Sequence, residues 1–161
     1  MKLKISAFLL LICLFGCSKS PQEKAAGILE TAYKHLEKFE LEPAQQAFNQ
    51  AAVEVGGHYY DTLGKGQIFE QQLFYYDALN EYLYLSLVFP DSAISYGGIY
   101  RIFTHFGYND TALAYATKYF ELSPKNAEGA LYKIQGLINT RKFEQAKQEL
   151  DGPAGNRLGD P

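Results

Sequence analysis

The 161-residue sequence has no tryptophan, three histidines and only two cysteines. Both cysteines, Cys13 and Cys17, fall near the N-terminus. The rest of the chain can therefore hold neither a disulfide framework nor a cysteine-based metal site. His35, His58 and His105 share no metal-ligand spacing, and no HExxH or calcium-loop pattern occurs. Gly64-Lys65-Gly66 lacks the rest of a phosphate-binding loop. No cofactor is implied. No Ser–His–Asp or paired-carboxylate constellation stands out along the chain, although such groups are assembled in space. Positive charge is also lacking, since the formal net charge is −3. A mildly acidic chain is a poor partner for a phosphate backbone, so nucleic acid is excluded as the expected ligand.

Long apolar runs are scarce too. The one that exists covers residues 5–15, broken only by Ser6, and follows Lys2 and Lys4. It has the length of a signal-peptide core and is too short to span a bilayer. It ends at Leu14-Phe15-Gly16-Cys17, which resembles the bacterial lipobox. The resemblance implies cleavage after Gly16, lipidation of Cys17 and attachment to a membrane through acyl chains. Several chains make such an anchor stable. Ser18, in place of an aspartate, implies the outer membrane in a two-membrane bacterium. Residues 1–16 are thus expected to be a signal peptide and 17–24 a lipidated cysteine with a short tether. Removing Lys2 and Lys4 leaves 13 basic residues against 18 acidic ones, a net charge of about −5.

What the chain does have is a repeat. Ala44, Ala78, Ala112 and Ala146 stand 34 residues apart. Four residues after each come Phe48, Tyr82, Ala116 and Leu150. Three residues before each come Leu41, Tyr75, Asn109 and Phe143. Pro90 and Pro124 follow the second and third alanines at one spacing. The stretches 107–124 and 142–150 resemble second helices of tetratricopeptide repeats, whose period is 34. In that family a small alanine marks a close helix crossing and a large residue one turn on fills the gap, as tight helix pairing requires. Here His35 stands where the family has an aromatic, and the family's first-helix glycine is in place only as Gly66.

The resemblance implies an all-α fold, a right-handed α-solenoid of about four helix-turn-helix repeats over 25–152. The units are 25–58, 59–92, 93–126 and 127–152. First helices are expected near 22–38, 59–72, 93–106 and 127–139, and second helices near 42–55, 75–89, 109–122 and 142–151. Ser20-Pro21-Gln22-Glu23 reads as a capping box. Glu42-Pro43 opens a helix, Gly56-Gly57 ends one, and Asn109-Asp110 supplies a cap. Tyr96, Ile99, Tyr100 and Phe103 form a core stripe, as do Ala130, Ile134 and Leu137 with a snorkelling Lys133. The 13 tyrosines and 11 phenylalanines are read mainly as packing, because most fall on such stripes. His58 with Asp61 reads as a surface polar pair.

In such an array the first helices form a concave wall. Tyr33, Tyr60, Gln67, Glu70, Gln71, Arg101, His105, Gln135 and Asn139 are offset from the packing stripes. They are either a partner-binding surface or simply a solvated face. Two functions follow. One is a non-enzymatic, membrane-anchored scaffold that binds another envelope protein or peptide in its groove. The other is a cell-wall-active enzyme or small-ligand receptor in a helical shell. An open trough favours the first, and a closed pocket with a pKa-shifted acid or base the second. The C-terminal edge, with Ile134, Leu137, Ile138, Phe143 and Leu150, has no following helix to cover it. It is expected to be exposed unless self-association or a partner buries it, or the array continues in a longer chain. Residues 153–161 read as a flexible tail.

The anchor reading has a direct test. Cys17→Ala should abolish incorporation of a labelled fatty acid and leave an unprocessed precursor; undiminished labelling contradicts it.

Overall fold

The computed structural model describes residues 19–152 and residue 155. The proposed signal peptide, Cys17 and all of the 153–161 tail except Gly155 lie outside them. The described residues are all-α, with no strand. Eight helices follow in order: α1 (Pro21–Glu37), α2 (Leu41–Val55), α3 (Tyr59–Gln71), α4 (Tyr75–Val88), α5 (Ala93–His105), α6 (Asn109–Leu122), α7 (Ala127–Asn139) and α8 (Phe143–Asp151). Every end lies within one residue of its expected position. α1 begins inside the stretch read as tether.

Local chemistry sets these boundaries. Ser20 caps α1 through the Glu23 amide at 3.2 Å, and Glu23 reaches back to the Ser20 amide at 2.7 Å. Gly56 ends α2 in the left-handed region, with φ 71°. Asn109 behaves differently from expectation. It is the first helical residue of α6, preceded by Tyr108, and no side-chain cap forms.

The turn inside each helix pair repeats with the same period. Phe39, Leu73, Gly107 and Arg141 all have positive φ, between 58° and 78°. In each turn two amides bond back in a Schellman motif, for example Phe39 N–H to Leu36 O at 2.9 Å and Glu40 N–H to His35 O at 2.9 Å. The turns at Leu73, Gly107 and Arg141 make the equivalent pairs. Only Gly107 takes this conformation without a Cβ penalty. A side chain in that region costs about 1–2 kcal/mol, so three of the four turns are strained.

Each helix packs on the next, with further contacts between α3 and α5 and between α5 and α7. This gives a helical, repeat-like arrangement. Ala44, Ala78, Ala112 and Ala146 are all buried. The junctions between pairs are closed by rings seated on residues without bulk. Phe48 of α2 lies against Gly64 of α3, where a Cβ would approach the ring to 2.5 Å. Tyr82 of α4 sits between Gly66 of α3 and Gly98 of α5, where a Cβ would meet it at 2.9 and 2.4 Å. Gly64 and Gly98 are 34 residues apart, as are Phe48 and Tyr82. At the third junction the roles reverse. Ala116 of α6 is the small member, and Tyr132 of α7 packs against its cluster.

The expected stripes are found where the periodicity put them. Ile99 and Tyr100 are buried, with Tyr96 and Phe103 half-buried. Lys133 carries its ammonium 4.9 Å from the centre of the Phe120 ring and bonds Glu149 at 2.5 Å. The C-terminal edge is smaller than expected. Ile134 and Leu137 are buried, because they pack with Ala130 and with Leu113 and Ala146 respectively. Ile138, Phe143 and Leu150 are exposed.

A glycine pair tests this packing. Gly98→Ala should destabilise the domain by about 1–3 kcal/mol, because the ring it meets is held from both sides. Gly27→Ala, where a Cβ has open space within α1, should stabilise it by up to about 1 kcal/mol. Urea unfolding of both variants reads the signs; two equal shifts would contradict the ring seating.

Candidate functional site

The first helices carry an open cleft of about 730 Å³. Tyr33, Leu36 and Glu37 enter it from α1, Gln67, Glu70 and Gln71 from α3, Arg101 from α5, and Glu128 and Tyr132 from α7. Phe39, Leu73 and Tyr75, at the turns, complete its rim. Positions 33, 67 and 101 are one per repeat, so the period itself lines up Tyr33, Gln67 and Arg101. Gln67 Nε2 lies 3.5 Å from the Tyr33 hydroxyl.

A charged network forms the floor. Arg101 grips Glu70 with two parallel bonds, Nε to Oε1 at 2.6 Å and Nη2 to Oε2 at 2.8 Å. This fork geometry is the strongest a guanidinium offers. The Tyr82 hydroxyl, at the end of the ring seated on Gly66 and Gly98, donates to Glu70 Oε2 at 2.8 Å. Arg101 Nη1 reaches the Tyr132 hydroxyl at 3.4 Å. Tyr132 and Tyr119 donate to the two oxygens of Glu128 at 2.6 and 2.8 Å. Asn126, which caps α7, donates to the Tyr119 hydroxyl at 2.9 Å. Five consecutive helices, α3 to α7, are tied together by side chains that also line or underlie the cleft.

Burial and hydrogen bonding shift Arg101 and four phenols of the cleft and its floor. Burial on its own would lower the Arg101 pKa, but hydrogen bonds to Glu70 and its charge outweigh this and raise it. Burial raises the Tyr82 phenol well above its usual value, and the nearby Glu70 charge adds to the rise. Burial pushes Tyr132 up to about 12; Arg101 opposes the rise and the bond to Glu128 supports it. Tyr119 is raised by burial and by its bond to Glu128. Tyr33 is raised by burial.

The expected surface residues divide into groups. Tyr33, Gln67, Glu70, Gln71 and Arg101 meet in the cleft. Arg101 is not a free contact group, because its charge is committed to Glu70. His105 stays exposed at the edge, its ring 4.1 Å from that of Tyr75. Tyr60 is half-buried, packed against the core cluster around Tyr82 and edge-on to Tyr59, and does not line the cleft. Gln135 bonds Asn139 at 3.0 Å, and neither lines the cleft. Periodicity assigned Tyr132 no role and missed Glu128, Phe39 and Leu73. The register 64, 98, 132 and the turn register 39, 73 were the available signals.

Elsewhere, His58 and Asp61 share a shallow hollow of about 400 Å³ between α2 and α3. Asp61 bonds Lys65 at 2.8 Å and takes Gln45 at 3.4 Å. Among the described residues no group of three or more His, Cys, Asp or Glu is placed to hold a metal. No described helix is long and apolar enough to cross a membrane.

The raised phenols predict an alkaline limb of stability. Below about pH 10, the unfolded value, folded and unfolded phenols are both protonated and their contribution is complete. Between there and about 12 the unfolded state alone loses the Tyr132 proton, so stability falls as pH rises. Urea midpoints measured across this window should fall less steeply for Tyr132→Phe. An unchanged slope contradicts the raised phenol.

No family model and no curated protein matches this chain.

Proposed function

We propose that this protein is a tetratricopeptide-type solenoid lipoprotein, a non-enzymatic scaffold that holds a partner peptide or helix in the cleft. The 34-residue recurrence of the buried alanines and of the left-handed turns supports the repeat assignment. The observation that carries the binding reading is the cleft itself. It is an open trough drawing side chains from four first helices, with an apolar rim over a fixed polar floor. Binding sites commonly combine apolar walls with a few placed polar groups.

The shifted groups that line the cleft move away from neutrality, phenols and guanidinium alike upward. Groups so held can donate hydrogen bonds but are poorly suited to proton transfer at neutral pH. The open shape of the trough, rather than a closed pocket, favours the scaffold over the enzyme. In this reading Cys17 carries the lipid, and the domain works in the bacterial envelope, on the outer membrane of a two-membrane host. The partner is another envelope protein or peptide, with self-association through the C-terminal edge as a further contact.

Position-specific crosslinking tests the proposal in the full, lipidated chain. A photoreactive residue at Gln71, exposed at the cleft, should trap one defined envelope polypeptide. The same group at Gln50, exposed on α2, should not. Equal trapping from both sites, or none from Gln71, contradicts a cleft-borne partner.

A further inference from the structure

The rim of the cleft carries two side chains for which the fold has no evident use. Phe39 and Leu73 occupy left-handed turn positions where Gly107 makes the same turn without strain. Both are large, apolar and about two-thirds exposed, at 68% and 66%. Burial therefore does little to offset their backbone strain. Strain held at a surface points to function when the strained side chains face a site. These two line the cleft. Arg141, the third strained turn residue, does not.

The charge of the cleft narrows what they meet. Three carboxylates, Glu37, Glu70 and Glu128, line it with one guanidinium. Arg101 is taken by Glu70 in the bidentate pair. Glu128 accepts neutral phenols on both oxygens, and neither it nor Glu37 is in an ion pair among the described residues. Lys34, near Glu37 on α1, is held by Glu30 at 2.6 Å. The cleft thus presents an apolar lip beside two carboxylates that are in no ion pair among the described residues.

We propose, building on the scaffold reading above, that the cleft selects a peptide segment carrying an apolar side chain next to a lysine or arginine. The apolar group packs on Phe39 and Leu73, and the cation faces Glu37 and Glu128. An acidic segment would bring like charge to two unpaired carboxylates. A purely apolar one would strip them of water without a partner. Both are selected against.

The test uses the full chain in detergent micelles and two sets of labelled synthetic peptides. The sets have identical leucine and phenylalanine content and differ only in lysine and arginine versus aspartate and glutamate. Fluorescence anisotropy should show the basic set binding at least about tenfold more tightly. Leu73→Gly and Phe39→Gly should each weaken it by about tenfold, while melting temperature holds or rises as turn strain is relieved. Glu37→Gln should weaken the basic set by about threefold and flatten its salt dependence. Acidic peptides bound as tightly, with sensitivity to Leu73→Gly, would overturn the charge inference and leave the groove standing. Binding of neither set would overturn both. Loss of binding together with a fall in melting temperature in both glycine variants would make the rim residues structural and overturn the inference.

Discussion

The arrangement depends on how one helix pair seats on the next. At the first two junctions one ring fills the space left by a glycine. Phe48 meets Gly64 and Tyr82 meets Gly98. At the last junction the register sets Ala116 and Tyr132 at these positions, Tyr132 stacks on Tyr100 of the Ala116 cluster, and Leu113 meets Gly136. A ring on both sides would overpack the contact, and a ring on neither would leave a void; each error costs a domain of this size several kcal/mol. The pairing fixes how closely successive first helices approach, and so fixes the wall on which the cleft is built.

The same rings tie the junctions to the cleft floor. Tyr82 passes between two glycines and delivers its hydroxyl to Glu70. Tyr132, brought onto a first helix by the exchange of large and small, delivers its hydroxyl to Glu128 and within reach of Arg101. Phe48, at the first junction, has no hydroxyl to deliver, and the polar contact there is Gln67 with the Tyr33 hydroxyl at 3.5 Å. The Glu70–Arg101 pair is only partly exposed, at 20% and 34% of the two side chains. Its loss should cost more than the ~1 kcal/mol of a surface pair and less than the 3–5 kcal/mol of a fully buried one. Stability and cleft geometry are thus coupled through side chains shared by both.

Much of this was legible in the sequence and some was not. The alanine period placed all eight helices, because burial and helix ends both follow it. The period also ran through the turns, yet Phe39, Leu73 and Arg141 concealed it, since left-handed backbone is normally signalled by glycine. Arg101 was located on the right wall but read as a free surface group; its partner lies 31 positions earlier, beyond local reasoning. Tyr60 falls outside the cleft, because helical offset gives direction without saying what packs there. Glu128 and Tyr132 went unassigned because their roles arise from the reversed third junction, visible only when Ala116 is compared with Phe48 and Tyr82.

The junction rule is the central claim, and exchanging ring and glycine at the first junction tests it most directly. Phe48→Ala, Gly64→Phe and the double variant form a cycle whose unfolding free energies are read in urea at one temperature. Each single variant should be strongly destabilised, one by a void and the other by a clash. The double variant, which sets the small residue and the ring in the order of Ala116 and Tyr132 along the register, should recover at least about 1–3 kcal/mol relative to their sum. A double variant as unstable as the two single losses added together would contradict the account.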